Sequence, residues 1–326
     1  MKASRRKFLQ IAANSTALLT LPRFAWAQGY PTQPVRILVG YATGSSTDIV
    51  ARVVADRLSV HWKQTVFVEN RGGAAGNLAA SAVAKGPSDG HTLLFAQNGL
   101  AISAAALANL TYKPETELVP LAPVAATPHI LIVKPDFPAK SVQELIGRAR
   151  AEPGKLTFAS SGIGNSDHMC GAMFNVMAGI DAVHVPYKGG APAATDTIAG
   201  HVAYYFAGMP VGLPLVQGRA ARALAVTGRE RFAGAPDIPT VAEQGLPEYE
   251  ARLWQGFFAP SAVAPELTSR IARDVQVVLA QPETREKLQA VGVELFEDNQ
   301  ANFRRFFVAE VEKWRKVVKA ANLNLE

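Results

Sequence analysis

Two segments rich in glycine and serine each follow a short apolar run, and both contain the residue types that bind an anion. The first covers residues 37–48 and the second covers residues 157–168. Glycine permits a tight turn, and the free N–H groups at the start of a following helix would point towards a ligand. Helix capping by Ser, Thr or Asp explains either segment alone equally well. Because one segment lies in each of two presumed lobes, we expect them to face one cleft from two sides.

A carboxylate occupies the first predicted helical turn after each segment, as Asp48 and Asp167. A carboxylate at that position already satisfies the helix dipole and would repel an anion directed at the same amides. We therefore interpret both residues as structural groups and assign ligand binding to Ser and Thr side chains and to backbone N–H groups.

Catalysis, cofactor binding and metal binding have weak support in the sequence. The glycine-rich segment at residues 69–77 lacks the G-x-G-x-x-G spacing of a dinucleotide site. Ser161 and Ser166 lie close to His168, but no G-x-S-x-G motif surrounds them. The six histidines are scattered, and the lone Cys170 lies in a helix-like apolar stretch that favours a buried structural role over a nucleophile. We expect no catalytic residue, no cofactor and no metal site.

Short β-rich runs alternate with longer amphipathic stretches, a pattern typical of an α/β protein with mainly parallel sheets. A proline- and glycine-rich stretch at residues 234–247 predicts a long connection. The predicted strands cover residues 35–39, 65–69, 91–96, 129–133, 156–160, 183–187, 203–206, 223–227 and 253–258. The predicted helices include residues 49–58, 78–85, 142–150, 265–279, 282–290 and 302–321.

The first 27 residues predict export. Arg5-Arg6 precedes a short apolar run and a small-residue cleavage site around Ala25 and Ala27, which is the pattern of a twin-arginine signal peptide. We expect cleavage before Gln28 and a periplasmic protein. This segment holds five of the 33 basic residues and no acidic one, so residues 28–326 carry 28 basic and 27 acidic residues. A net charge of +1 argues against a nucleic-acid partner.

Seven motifs, in order along the whole mature chain, resemble the Bug receptors, the periplasmic solute-binding proteins of tripartite tricarboxylate transporters. They cover residues 30–37, 44–48, 68–71, 84–94, 159–166, 184–190 and 238–243.

The resemblance implies a type II periplasmic-binding-protein fold, in which two α/β lobes close on a small carboxylate. It places lobe 1 at residues 28–127 plus 250–326 and lobe 2 at residues 128–249. It also implies a set of ligand-contacting residues from both lobes. These are Tyr41, Ser45, Ser46, Thr47, Asp48, Gln97 and Asn98 in lobe 1, and Ser161, Gly162, Gly164, Asn165, Ser166, Tyr187 and Ala207 in lobe 2.

Two positions depart from the family pattern. Ser45 stands where the family usually has a second consecutive glycine, and Ala207 follows Phe206 where relatives commonly carry Asp. The missing acid predicts an aliphatic or aromatic carboxylate without an ammonium group, because a buried ammonium needs a carboxylate or several acceptors. The alternative is that Asn98, Asp48 or a water supplies the acceptor.

Two functions from different classes remain after this comparison. The first is a monomeric transport receptor that delivers a carboxylate to membrane permease subunits, and the second is a ligand-sensing partner of a membrane sensor kinase. An enzyme ranks third, because no nucleophile or acid–base pair stands out.

Overall fold

The computed structural model of the protein describes residues 29–320. The predicted signal peptide, residues 1–27, lies outside this range and stays a prediction. Within the described range, no helix combines the length and the apolar character needed to cross a bilayer.

Between residues 29 and 320 the chain forms nine strands and eleven α-helices. The strands are β1 (Val35–Val39), β2 (Val66–Asn70), β3 (Thr92–Gln97), β4 (Leu118–Val133), β5 (Thr157–Ser160), β6 (Val183–Pro186), β7 (Tyr204–Gly208), β8 (Arg222–Val226) and β9 (Arg252–Pro260). The helices are α1 (Ser46–Trp62), α2 (Asn77–Ala84), α3 (Gly99–Ala106), α4 (Pro114–Glu117), α5 (Val142–Ala151), α6 (Ser166–Ala178), α7 (Gly190–Ala199), α8 (Met209–Gln217), α9 (Pro265–Ala280), α10 (Pro282–Ala290) and α11 (Gln300–Ala320).

The strands pair in the order β2-β1-β3-β9-β4-β7-β5-β6, and β8 also pairs with β4. Strand β1 runs parallel to β2 and β3, and β5 runs parallel to β6 and β7. Strands β4 and β9 are antiparallel to all their neighbours. The α/β class is therefore confirmed, whereas the expectation of mainly parallel sheets is wrong at the two strands in the middle.

Strand β4 belongs to both halves of this arrangement. Its first part, from Leu118 to Pro128, pairs with β9, and its last part, from His129 onwards, pairs with β7 and β8. The sequence predicted only residues 129–133 as a strand. Prolines at 120 and 123 hide the earlier part, because proline cannot donate to a ladder, and the register shifts beside each of them.

Apolar clusters cover both faces of each half. In the first half, neighbouring residues of β3 point in opposite directions: Phe95 packs on the α1 and α9 side, and Leu94 packs on the side of α2, α3 and α11. In the second half, Phe206 of β7 faces α5 and α6, while Tyr205 faces α7 and α8. Each half thus has a core of its own, as two α/β lobes require. The exact lobe boundaries at 127/128 and 249/250 stay a prediction.

Asn98 ties lobe 1 to the strand that returns from lobe 2. Its Nδ2 donates to the carbonyl oxygen of Arg252 at 3.1 Å, and the backbone N–H of Trp254 donates to its Oδ1 at 2.9 Å. The side chain is buried and does not line the cleft described below. The geometry therefore corrects the expected ligand contact of Asn98, because both ends of its amide are bonded to β9.

We predict that Asn98→Ala lowers the free energy of unfolding by about 1–3 kcal/mol, because it removes the bonds to the buried N–H of Trp254 and to the partly buried carbonyl of Arg252. Asn98→Asp is the matched control: its protonated form keeps a donor and an acceptor, whereas its ionised form sets a carboxylate against the Arg252 carbonyl, so its loss should be smaller at acidic pH than at neutral pH. Urea unfolding followed by tryptophan fluorescence measures both. Equal midpoints for Asn98→Ala and the unaltered protein would contradict this role.

Candidate functional site

The turn between β1 and α1 presents two free backbone amides. Gly44 has a φ of 79°, and Ser45 caps the helix, its Oγ accepting from the N–H of Asp48 at 3.2 Å. Within residues 29–320, the N–H groups of Ser46 and Thr47 donate to no acceptor. They lie at the positive end of the helix dipole, where an anion is stabilised.

The carboxylate of Asp48 forms hydrogen bonds with residues of lobe 1. It accepts from the N–H of Gly44 at 2.9 Å, from Arg52 Nε at 2.9 Å and from Asn70 Nδ2 at 2.9 Å. Burial would raise the pKa of Asp48, but these bonds outweigh burial and hold the pKa below its ordinary value. Asp48 does not line the cleft. The ligand contact expected from the resemblance is thus replaced by a structural role in the turn.

The turn between β5 and α6 also presents two free backbone amides. Asn165 precedes the helix without capping it, and in the described part of the chain the N–H groups of Ser166 and Asp167 have no acceptor. The Oδ1 of Asn165 is buried without a hydrogen-bond partner. Gly164, with a φ of 75°, already donates its N–H to His168 Nδ1 at 3.1 Å. Its amide is therefore not available to a ligand, contrary to expectation.

Asp167 turns its side chain back onto the loop that precedes it. Its Oδ2 accepts from the N–H of Ser161 at 2.7 Å and from the hydroxyl of Tyr205 at 2.9 Å. Its Oδ1 accepts from the N–H of His168 at 2.9 Å. Burial raises the pKa of Asp167, and these hydrogen bonds offset the effect only in part.

The two turns meet in a narrow space that we call the inner cleft, with a volume of about 20 Å³. Besides α1 and α6, the starts of α7 and α8 reach it through Gly190 and Gly208, so four helix N-termini converge there. None of the residues that line it is a lysine or an arginine. They are Tyr41, Ser45, Ser46, Thr47, Gln97, His129, Ser161, Ser166, Asp167, Gly190, Tyr205, Gly208 and Leu253.

His129 is the main lining residue that sequence reasoning missed. It is 1% exposed, and its Nε2 lies 3.2 Å from Ser166 Oγ. Burial lowers the pKa of His129 to about 4, so the ring is neutral at ordinary pH. In the sequence, the only indication of this role was its position directly after Pro128, at the predicted boundary between the lobes. Its partner Ser166 is 37 residues away in sequence.

A wider space, the outer cleft, continues from the inner cleft towards solvent and has a volume of about 820 Å³. Tyr41, Ser45 and Ser161 line both parts. The glycine-rich residues 72–76, which did not fit a dinucleotide site, form one wall. Tyr187 also lines this space, and its hydroxyl already donates its proton to Asp196 at 2.7 Å.

The structure brings ten of the predicted ligand residues to this cleft. They are Tyr41, Ser45, Ser46, Thr47, Gln97, Ser161, Gly162, Asn165, Ser166 and Tyr187. Asp48, Asn98, Gly164 and Ala207 do not line it.

Ala207 lies beneath α8. It is fully buried in the apolar cluster around Ile130, and a Cβ placed on Gly212 of that helix would lie 2.9 Å from the Ala207 Cβ. Ala207 shares its face of β7 with Tyr205, but the contact with α8 covers it, and only the longer Tyr205 side chain lines the inner cleft. The expected contact between Ala207 and a ligand is corrected for this reason.

The catalytic interpretation gains no support from the histidines near the second turn. His168 stacks on His184 with ring centroids 3.9 Å apart, and its Nδ1 accepts from Gly164 rather than facing a serine. His184 contacts Ser160 at 2.6 Å. Within the described residues, no group of three or more His, Cys, Asp or Glu side chains could hold a metal ion.

Comparisons with known proteins agree with this geometry. The sequence profile of the tripartite tricarboxylate transporter family receptors matches residues 50–323. Protein BugT of Bordetella pertussis is 32% identical over 302 residues, covering 92% of this chain and 93% of BugT. Rpa4515 of R. palustris, solved with adipate, is 33% identical with a TM-score of 0.87, covering 90% of this chain and 99% of that chain.

Two further solved structures extend the comparison. The periplasmic binding protein BugD is 30% identical with a TM-score of 0.86, covering 90% of this chain and 99% of BugD. MatC of Rhodopseudomonas palustris, solved with bound malate, is 27% identical with a TM-score of 0.84, covering 89% of this chain and 100% of MatC. The two lobes, the paired helix starts and the match over nearly all of the described chain lead to one conclusion. The chain belongs to the receptor family of the tripartite tricarboxylate transporters, the family of the Bug receptors.

Proposed function

We propose that the protein is a periplasmic receptor that captures a small carboxylate for a transporter of the tripartite tricarboxylate type. The observation that carries the proposal is the pair of helix starts, one from each lobe, whose free amides face the same inner cleft. Relatives solved with adipate and with malate support a carboxylate ligand. Export through the twin-arginine pathway and delivery to membrane permease subunits complete the proposal, and they rest on the signal sequence and on the family.

The inner cleft offers a carboxylate neutral donors instead of cations. Four amides are free, those of Ser46, Thr47, Ser166 and Asp167, and a carboxylate has about four acceptor positions. A hydrogen bond to a charged group contributes about 1.5–3 kcal/mol. The dipoles of the helices that begin at the inner cleft add to this attraction. The Asp167 carboxylate, which also lines the inner cleft, opposes it, but its raised pKa lessens the repulsion.

The ligand that fits this cleft lacks an ammonium group. Among the residues that line its two parts, Asp167 is the one carboxylate, and both of its oxygens already accept hydrogen bonds. To pair with this carboxylate, a buried ammonium would have to compete with the hydrogen bonds that Ser161, His168 and Tyr205 already donate to it, and an ammonium left unpaired costs several kcal/mol. A carboxylate without an ammonium group is also the ligand class that the missing acid at position 207 predicted.

The inner cleft and the outer cleft hold different parts of the ligand, its carboxylate group and the rest of its carbon skeleton, which we call the body. The inner cleft, at about 20 Å³, has room for little more than a carboxylate group. The body then lies in the outer cleft, whose walls include Ala42, Ala75, Pro186 and Ile163, a side chain that is 53% exposed. Covering such a side chain is favourable by about 25 cal/mol per Å². An aliphatic chain or an aromatic ring suits these walls.

The lobes of this receptor are in contact across the cleft. A Cβ on Gly208 of lobe 2 would lie 2.2 Å from Ser46 Oγ and 3.0 Å from Ser46 Cβ in lobe 1. A Cβ on Gly189 would lie 3.1 Å from the Ala42 Cβ. Glycine at these positions lets the lobes approach, and closing around a ligand requires that approach.

An enzyme is disfavoured by the state of the one histidine that contacts a cleft serine. A general base works best with a pKa near the operating pH, whereas burial lowers the pKa of His129 to about 4. Its second ring nitrogen faces Cys170 rather than a carboxylate, so the orienting acid of a catalytic triad is missing from its described surroundings.

Glutarate and glutamate form a matched pair of ligands, since they differ only in the ammonium group. We predict that glutarate binds, and that glutamate binds about 100-fold more weakly or not at all, because its ammonium is buried without a free carboxylate. Isothermal titration calorimetry with the mature protein measures both, with adipate and benzoate as further aliphatic and aromatic acids. Glutamate binding as tightly as glutarate would refute the argument about charge.

Ser166→Pro tests the amide at the start of α6. Proline is tolerated at the first helical position, and Asn165 has the extended φ and ψ of −76° and 163° that a residue before proline adopts. Ser166→Ala is the control, because it keeps the N–H and removes only the hydroxyl. We predict that the proline variant binds glutarate at least about tenfold more weakly than the alanine variant. Equal dissociation constants in calorimetry would show that this amide does not contact the ligand.

Gly208→Val tests closure of the lobes. We predict that the added side chain collides with Ser46 and weakens glutarate binding about tenfold or more. Gly147→Val is the control, because nothing lies within 4 Å of a Cβ there. Small-angle scattering should show a smaller radius of gyration on adding glutarate to the control and no change in the Gly208 variant. Normal contraction of the Gly208 variant would mean that closure does not depend on this contact.

A further inference from the structure

A buried chain of three polar side chains leads into the inner cleft from behind. The Sγ of Cys170 lies 3.4 Å from His129 Nδ1, and His129 Nε2 lies 3.2 Å from Ser166 Oγ. Cys170 is 2% exposed and His129 is 1% exposed. Of the three, only Ser166 and His129 line the cleft, so any effect of the cysteine on a ligand passes through them.

The architecture fixes these three residues relative to one another. Ser166 and Cys170 are four residues apart on α6 and therefore share one face of the helix. His129 lies on β4 opposite that face, and its backbone N–H donates to Thr227 Oγ1 at 2.7 Å. The imidazole is thus held between the thiol and the hydroxyl.

Two arrangements of protons fit these distances. In the first, the thiol donates to Nδ1, Nε2–H donates to Ser166 Oγ, and the serine proton is free to point into the cleft. In the second, Nδ1–H donates to Sγ and the hydroxyl of Ser166 donates to Nε2. Only lone pairs of the Ser166 oxygen then face the cleft. The first offers a carboxylate a donor, whereas the second repels it.

Several physical facts favour the first arrangement. Burial raises the pKa of the Cys170 thiol, so the sulfur keeps its proton and has one to donate. Burial also keeps the imidazole neutral, so it has one N–H and one acceptor nitrogen. An imidazole nitrogen is a better acceptor than a thiol sulfur, which accepts only weakly. An imidazole nitrogen accepts a hydrogen bond in both arrangements, so the difference lies in the imidazole N–H: the first directs it at the serine oxygen, a good acceptor, and the second at sulfur, a weak one.

We propose that Cys170 is a positioning residue of the binding site: its S–H holds His129 in the Nε2–H tautomer, and His129 in turn directs the hydroxyl proton of Ser166 towards a bound carboxylate. The inference rests on the carboxylate site proposed above, but its first half concerns the protein without ligand. The tautomer is set by the bond at the other ring nitrogen, a relation well known in metal sites and catalytic triads.

Cys170→Ser and Cys170→Ala are the matched variants. Serine keeps a donor at the same place, whereas alanine leaves Nδ1 without a partner. Long-range ¹H–¹⁵N spectra of histidine-labelled mature protein report the tautomer, and the signal that is missing in His129→Gln identifies residue 129. We expect the Nε2–H pattern in the unaltered protein and in Cys170→Ser, and a shift towards Nδ1–H in Cys170→Ala.

Calorimetry with glutarate provides the second measurement. We expect Cys170→Ala to bind about threefold to tenfold more weakly, and Cys170→Ser to bind nearly as well as the unaltered protein. In a Ser166→Ala background the effect of Cys170→Ala should vanish, because the hydroxyl that it orients is gone. A merely structural cysteine would weaken binding equally in both backgrounds.

The spectra decide the inference even if glutarate does not bind. An Nδ1–H tautomer in the unaltered protein, or an unchanged spectrum in Cys170→Ala, overturns the role of Cys170. A failure of every carboxylate to bind, with the predicted spectra, would overturn the proposed function and leave the tautomer assignment in place.

Discussion

The continuity of β4 constrains the rest of the molecule. Sixteen residues in one strand serve two sheets, with β9 as partner on one side of Pro128 and β7 and β8 as partners on the other. A single strand cannot change its direction freely, so the two sheets meet at an angle that the strand dictates. Asn98 then fixes the returning β9 to lobe 1 through two hydrogen bonds. These connections decide which ends of the sheets face each other.

The helix starts face one another because parallel strands end at the same edge of their sheet. Strands β1 and β5 are both in the parallel part of their lobe, and each leads directly into a glycine-containing turn. Asp48 and Asp167 stabilise those turns by accepting backbone N–H groups, and the next amides stay free. Each carboxylate thus shapes the loop that presents its neighbours to the cleft.

The sequence was informative where local patterns decide structure. The strand ends agree within two residues for every strand except β4, and the two glycine–serine turns were located correctly, because both signals are contained in a few adjacent residues. Helix α3 was missed, since Gly99–Ala106 is made of small residues without an amphipathic period. Most of β4 was missed because Pro120 and Pro123 cannot donate to a strand ladder.

The contacts of the site were predictable only in part. His129, Gly190 and Gly208 reach the inner cleft through the crossing of strands and helices that are distant in sequence, and no local pattern marks such positions. The contact of Ala207 was expected from family resemblance, but the helix that begins after Gly208 packs over this residue, and no local sequence pattern shows that packing.

A cleft lined by neutral donors has a consequence for kinetics. Residues 28–326 carry nearly balanced charges, no lysine or arginine lines the inner cleft, and Lys188 in the outer cleft is balanced by Asp167 in the inner cleft. Long-range electrostatic attraction, which accelerates the arrival of anions at basic sites and weakens as salt rises, therefore contributes little. Encounter is governed by diffusion, and discrimination takes place at short range, after the anion has reached the amides.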